Sequence, residues 1–274
     1  MKSAISCFIR KEISDAIRSR WLVGLAVLFS LIMLVIGGSN SFLGGEYASL
    51  DLSKAIISLA GVCVVIVPLI CILLSYDSIV GEQETGTLLL LMAYPISRSS
   101  IVLGKFIGKA IVVGITLLIP IVLFGVYVSL NSDAEFTYIS FLLANFFVSL
   151  WLLALVFILI SLLVSTQVKE KAKALSGLFF IWFCLVLLWD LLILLVVVIF
   201  PNLVSSSAIN TAIAINPVDV FRAINQIAVG DVQFLNGLIT INSDLVIIAG
   251  YFALLAWVAL LSVAVAKLFN RKQL

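Results

Sequence analysis

The chain has 274 residues, of which 64% are hydrophobic and 11% charged, whereas soluble domains are about 45–50% apolar and about 25% charged; this excludes a soluble enzyme and favours an integral membrane protein. It contains no histidine, which excludes a Ser-His-Asp triad, a Cys-His pair and a histidine-liganded metal. The net charge of +2 is scattered along the chain, so no basic patch predicts binding to nucleic acid.

Residues 1–20 form an arm that is too polar to cross a bilayer. From Ile5 to Ile17 the apolar residues recur at spacings of three and four, which predicts an amphipathic helix lying on the membrane lipid. Glu12 falls inside the apolar stripe, where a carboxylate needs a partner. Either the helix frays and Glu12 turns to water, or this face packs against protein that supplies a donor.

Six segments are apolar enough to cross a bilayer as helices, which takes about 20 residues each. They are residues 21–37, 55–75, 110–130, 139–164, 175–200 and 245–268. Of the 16 Lys and Arg residues, 14 fall on one side of this arrangement, and Lys54 and Arg222 fall on the other. Because cations accumulate on the cytoplasmic side, we expect one all-α transmembrane domain over residues 1–274, with both termini in the cytoplasm.

The loop at residues 77–105, between the second and third spans, carries the most distinctive motif. Glu82 and Glu84 are acidic residues on the cation-rich side, where anionic lipid headgroups would repel them. Gly81 and Gly86 bracket the two glutamates and allow tight backbone turns. The loop is therefore better suited to contact a protein than to lie on lipid.

A short apolar helix at residues 88–93 is predicted within this loop. Thr87 can cap its start, and Pro95 ends it because the residue before a proline disfavours the helical region. Ser97 can cap the next helix, which continues into the third span. An apolar helix of two turns outside the membrane needs a cover, supplied by lipid or, as the acids favour, by a groove in a partner protein.

The sequence Gly-Glu-x-Glu-x-Gly-Thr-Leu at 81–88, followed by Pro-x-x-Arg at 95–98 and Leu-Gly-Lys at 103–105, resembles the signature of permease subunits of ABC-2-type transporters. Arg-Lys-Glu at 10–12 is similar to the start of the same family. The resemblance covers essentially the whole chain. It implies a subunit of the bacterial inner membrane that pairs with a second copy of itself and with a separate ATPase.

In such a transporter the loop would be a coupling helix that docks, together with the arm, on the ATPase. The resemblance assigns this docking to Glu12, Glu82, Glu84, Gly86, Thr87, Leu88, Tyr94, Pro95 and Arg98. It implies no catalytic residue, metal or cofactor in this chain, since ATP and Mg²⁺ bind to the ATPase. Gly104 to Ala110 supports this, because the stretch is one residue too short for a P-loop and ends without Ser or Thr.

Within the family, the chain looks like the permeases of transporters that mature nitrous oxide reductase, a copper enzyme. The resemblance rests on Tyr-Asp-x-Ile-Val-Gly-Glu at 76–82, Tyr-Pro at 94–95 and Asn-Pro-x-Asp-x-Phe-Arg at 216–222. It implies a periplasmic partner of β-helical type. Two alternatives stay open: an ABC-2 exporter of a drug, lipid or ion, and a mechanical transmitter that moves no cargo.

Gly104 and Gly108 form a Gly-x-x-x-Gly pair at the foot of the third span. Such a pair allows another helix to approach closely.

The loop at residues 201–244 lies outside the cytoplasm by the charge count. Asn216 can cap a helix with Pro217 at its first position, and Gly230 can end it. The helix is either a structural lid over the bundle, or a gate or docking surface for a periplasmic partner. The residues considered for this role are Asn216, Pro217, Asp219, Phe221 and Arg222.

Asp190 is the one acid well inside a predicted span. A carboxylate there is expensive and usually faces a bundle interior or water. It either contacts cargo or a proton, or is a paired structural acid near the outer interface. Asn145 and Ser149 could line a polar path with it, but ordinary hydrogen bonds between helices would explain them equally well.

Overall fold

The computed structural model describes residues 2–18, 21–43, 52–94, 97–132, 134–199, 206–230 and 243–272. Across these residues the chain forms twelve α-helices and no strand. The helices are α1 Lys2–Arg18, α2 Trp21–Leu43, α3 Leu52–Ser75, α4 Val80–Glu84, α5 Thr87–Ala93, α6 Arg98–Asn131, α7 Phe136–Gln167, α8 Lys171–Phe183, α9 Trp189–Ile199, α10 Ser206–Ile215, α11 Pro217–Ala228 and α12 Ser243–Arg271. A π-helical stretch, Cys184–Leu188, joins α8 to α9.

Within the described residues, five segments are long and apolar enough to cross a membrane by themselves. They are Leu52–Glu84, Arg98–Asn131, Phe136–Gln167, Lys171–Ile199 and Val246–Arg271. The helices α1 and α2 meet at a bend of 68° and would provide a sixth span if they are counted together. The predicted all-α membrane fold is therefore confirmed.

The helix α7 lies at the centre of the bundle. Of its most apolar window, 72% is buried inside the protein, against 6% for the corresponding windows of Lys171–Ile199 and Val246–Arg271. Five helices pack around α7, namely α3, α6, α8, α11 and α12. The bundle therefore has a core of spans around α7, while the α8–α9 segment and α12 leave most of their apolar surface exposed.

The arm helix α1 packs along the start of α6. A Cβ atom placed on Gly104 would lie 2.6 Å from the Cβ of Phe8, and one placed on Gly108 would lie 2.7 Å from the Cβ of Glu12. Real Cβ atoms do not approach so closely, so the contact requires glycine at both positions. The Gly-x-x-x-Gly pair therefore packs a helix as predicted, and the helix that it packs is the arm.

Candidate functional site

The loop motif forms two short helices, α4 and α5, at the end of the bundle that carries most of the cations (the cation-rich end). The backbone N–H groups of Ile79 and Val80 donate to the hydroxyl of Ser165 at 3.1 and 3.0 Å. Because the first amides of a helix have no partner within it, Ser165 at the end of α7 caps α4 from outside. This bond fixes the start of the loop to the central helix.

The two loop glycines have different roles. Gly86 precedes α5 with a φ of 73°, a left-handed conformation that favours glycine, which confirms the predicted turn. Gly81, in contrast, lies within α4, so the turn predicted there is wrong. A Cβ on Gly81 would lie 3.0 Å from the Cε of Lys171, so this glycine makes room for the start of α8.

The predicted cap at Thr87 is wrong. The residue before α5 is Gly86, and Thr87 is already the first residue of the helix. Its hydroxyl donates to the backbone oxygen of Glu82 at 3.2 Å, so it closes the turn between α4 and α5. Ser97 does cap α6, as predicted, because its side chain accepts from the N–H of Ser100 at 3.3 Å.

The helix α5 has one buried and one exposed side, both apolar. Leu88 is only 1% exposed, whereas Leu89, Leu90 and Tyr94 are 60%, 67% and 64% exposed. Leu88 therefore anchors the helix to the bundle, and its burial makes it inaccessible to a partner in this structure. The prediction that the apolar helix needs a cover therefore concerns its exposed side. Pro95 lies outside the described residues.

Lys105 is the buried centre of an ion-pair cluster. It is 2% exposed, and its ammonium donates to the backbone oxygen of Ser78 at 2.9 Å and to Glu82 at 2.8 Å. Glu12 lies 3.6 Å from the same nitrogen. A buried cation needs partners of this kind. The foot of α6 is thereby joined to both the loop and the arm.

Two further lysines extend this cluster. Lys109 pairs with Glu12 at 3.2 Å and donates to the backbone oxygen of Leu74 at 2.6 Å. Lys11 pairs with Glu82 at 3.2 Å. Partial burial lowers the pKa of Lys11, but nearby carboxylates, above all Glu82, outweigh it, so that the pKa is raised. Of the two alternatives for Glu12, the structure shows the one in which protein supplies its partners.

Glu84 and Arg98 also have partners within the chain. Glu84 accepts a hydrogen bond from the backbone N–H of Lys171 at 2.6 Å. Arg98 donates to the backbone oxygens of Asn270 and Lys272 at 3.1 and 2.8 Å. Contact of Glu12, Glu82, Glu84 and Arg98 with an ATPase stays a prediction.

At the other end of the bundle, Asp190 at the start of α9 is paired. Its carboxylate accepts from the guanidinium of Arg222, which also lies 3.4 Å from Asp219. Burial, followed by the nearby carboxylate of Asp190, raises the pKa of Asp219 to about 7. The structure thus contains the ion pair that the structural alternative for Asp190 requires.

Most of the predicted functional residues of α11 face the bundle. Asn216 caps it by accepting from the N–H of Val218, with Pro217 at the first position, as predicted. Phe221 is fully buried. The Asn216 side chain also donates to the backbone oxygen of Leu185 at 2.8 Å, within the π-helical stretch. These residues hold α11 in the bundle, and their role as a gate or partner surface stays a prediction.

Asn145 and Ser149 lie in a buried network between α7, α11 and α12. The Asn225 side chain donates to Ser149 at 3.0 Å and accepts from the side-chain N–H of Asn145 at 3.4 Å. The hydroxyl of Tyr251 donates to the Asn145 side-chain oxygen at 2.8 Å. Ordinary hydrogen bonds between helices therefore account for both residues, and a cargo path through them stays a prediction.

Sequence reasoning missed several residues of these clusters. Lys105 enters the sequence analysis only through the Leu-Gly-Lys motif and the count of cations, and Lys109 only through that count. Their spacing of four, beside Gly104 and Gly108, was a signal that both face the same neighbour. Ser165 gave no signal, because its partners lie far away in the sequence.

These helices define a multi-pass membrane protein with a helical loop packed at its cation-rich end. The chain belongs to the ABC-2 family of transporter proteins, whose family model matches residues 7–274. It is 31% identical over 266 residues, 96% of each chain, to a probable ABC transporter permease protein NosY of Stutzerimonas stutzeri. It is 32% identical over 269 residues, again 96% of each chain, to the protein of the same name of Pseudomonas aeruginosa. The chain is therefore an ABC transporter permease subunit.

Proposed function

We propose that this chain couples ATP hydrolysis, carried out by a separate ATPase subunit that binds ATP and Mg²⁺, to a conformational change across the bacterial inner membrane. A second copy of the chain completes the membrane part, and both termini lie in the cytoplasm. Membership of the ABC-2 family supports the ATPase partner and the dimer. The charge asymmetry of the sequence supports the orientation.

The observation that carries the docking proposal is the exposed apolar side of α5. Leu89, Leu90 and Tyr94 are each at least 60% exposed, at the end of the bundle where the acids of the loop disfavour lipid. A short helix with exposed leucines fits a groove of a partner protein. We therefore place the ATPase on this side of α5, with Gly86 and Thr87 at its edge.

Capture of the ATPase by the tagged permease tests this docking. Leu89→Glu together with Leu90→Glu places charge on the proposed interface, and both side chains are exposed, so the fold should tolerate the change. We expect the ATPase to be lost. Gln167→Glu adds a negative charge at another exposed position of the same end and should leave capture unchanged. Full capture by the α5 variant would refute the docking surface.

We further propose that the transporter serves the maturation of the copper site of nitrous oxide reductase. The similarity to two permeases named NosY supports this subtype, as do the motifs at 76–82 and 216–222. The periplasmic β-helical partner belongs to the same proposal. The copper content of the reductase purified from a strain lacking this chain tests it. Normal copper content would leave export of a drug, lipid or ion as the alternative.

A second candidate is a mechanical transmitter that moves no cargo. It is favoured by the side chains of Asn145 and Ser149, which are hydrogen-bonded between helices, and by the pairing of Asp190 with Arg222. Asp190→Asn keeps an acceptor for the guanidinium but removes a charge that cargo could use. An unchanged copper content of the reductase would support transmission, whereas its loss with a normally folded permease would support cargo contact.

A further inference from the structure

Glu84 caps a helix that is not its own. The first amides of α8 have no partner within the helix, and Glu170, at the capping position, makes no side-chain hydrogen bond to them. The carboxylate of Glu84 accepts from the N–H of Lys171 at 2.6 Å instead. A negative charge is favourable at this end of a helix. The last residue of α4 thus holds the start of the α8–α9 span.

Arg98 provides the complementary contact at α12. The last carbonyls of a helix have no partner within it, and a cation is favourable there. Arg98 donates to the oxygens of Asn270 and Lys272, and the Asn270 amide donates to Ser99 at 3.2 Å. Arg98 lies in the first turn of α6, where a cation is unfavourable for its own helix. Its favourable partner is the end of α12.

These two contacts flank the proposed docking helix on either side. Glu84 ends α4 just before the turn into α5, and Arg98 begins α6 just after it. They reach the two spans with the most exposed apolar surface, since only 6% of the apolar window is buried in each. At the cation-rich ends of these spans Leu178 and Phe269 are fully buried, so the two ties add polar contacts with the loop to an apolar packing that already holds these ends.

We infer that Glu84 and Arg98 are positioning residues that tie the docking helix α5 to the ends of the α8–α9 span and of α12. A force that the ATPase applies to α5 then reaches these two spans through their cation-rich ends. The inference rests on the proposed docking of the ATPase. It assigns Glu84 and Arg98 to transmission within the permease, and leaves contact with the ATPase to the exposed leucines.

Hydrogen exchange of the purified permease tests the ties without any ATPase. In Glu84→Ala the amides at the start of α8 should exchange about 5–30-fold faster, the factor that corresponds to the loss of one to two kcal/mol. Arg98→Met should have the same effect at the end of α12 only. Arg10→Met removes an exposed cation from the arm and should change neither site. Unchanged exchange at both helix ends would overturn the inference.

A rescue variant separates a structural cap from transmission. Glu170→Ser offers α8 a cap of its own and removes only an exposed pair with Lys173. In Glu84→Ala with Glu170→Ser, we expect slow exchange at α8 to return. Comparison of the ATPase complex with and without MgATP and vanadate should then show a nucleotide-dependent change in exchange at α12, but none at α8. In Arg98→Met we expect a nucleotide-dependent change in exchange at α8, but none at α12.

The outcomes distinguish this inference from the docking proposal. A nucleotide response at α8 in the rescued variant would overturn the inference, because α8 would then respond without the Glu84 bond. If the exchange experiment on the permease alone shows the ties but no ATPase is captured by the unmodified chain, the docking proposal fails and the ties remain.

Discussion

The contact between the arm and α6 makes a sharp prediction for Gly104→Ala. The added Cβ would lie 2.6 Å from the Cβ of Phe8 and 3.3 Å from the backbone oxygen of Ile5. Neither atom is the far end of a flexible side chain, so the arm itself must shift. Overpacking of this kind costs about 1–3 kcal/mol, and alanine recovers about 0.5–1 kcal/mol within a helix. The arm contact should weaken by about 0.5–2 kcal/mol.

Hydrogen exchange of the α1 amides measures this weakening directly. Opening of the arm should become about 2- to 30-fold more frequent, and the amides of α7 should be unaffected. Gly61→Ala is the matched control: it lies within α3, and no atom of the described parts of the chain comes within 4 Å of the added Cβ. This control should leave exchange in the arm unchanged. Unchanged exchange in Gly104→Ala would refute the close contact between α1 and α6.

Three further predictions concern the remaining clusters. Ser165→Ala removes the cap of α4 and should destabilise the loop by about 0.5–2 kcal/mol, seen as faster exchange there. Ser161→Ala, whose hydroxyl donates to the backbone oxygen of Phe157 in its own helix, should leave exchange in the loop unchanged. Because the pKa of Asp219 is raised to about 7, its protonation stabilises the fold below about pH 4, and this stability is lost as the pH rises through 7. The thermal unfolding midpoint should therefore decrease as the pH is raised from 5.5 to 8, and the decrease should be smaller in Asp219→Asn. An equal decrease in the two proteins would contradict the raised pKa. Tyr251→Phe should lower stability by about 1 kcal/mol, and an unchanged midpoint would exclude a stabilising role for its bond to α7.

The sequence was sufficient for the spans, because an apolar run of membrane length leaves few other folds. Hydropathy alone was less informative on where helices begin outside the apolar run. The third predicted span starts at residue 110, whereas α6 starts at Arg98, as the cap at Ser97 and not the apolar run predicts. The additional turns carry Lys105 and Lys109, and are stabilised by the arm and the loop, which hydropathy does not register. The π-helical stretch at Cys184–Leu188 was missed for a similar reason, since a change of hydrogen-bond register leaves the apolar pattern intact.

The site was predictable in its location but not in its contacts. The loop motif and its acids could be found from the sequence. The partners of Glu12 could not, because Lys105 and Lys109 are remote along the chain. Thr87 was assigned as a cap from its residue type alone, but a preceding glycine with positive φ occupies that position. The partners of the Glu84 and Arg98 side chains depend on where α8 begins and where α12 ends, and local sequence patterns do not reveal these positions.

The buried position of Lys105 sets a rule for building hybrids from related permeases. A loop grafted alone would bring its own glutamates to lysines selected for another arm, and would meet foreign ends of α8 and α12. The smallest block that keeps the polar contacts of this surface together comprises residues 2–18, 74–109, 165–171 and 270–272. Such a graft exchanges one complete surface between two transporters, and leaves the lipid-facing remainder of each scaffold in place.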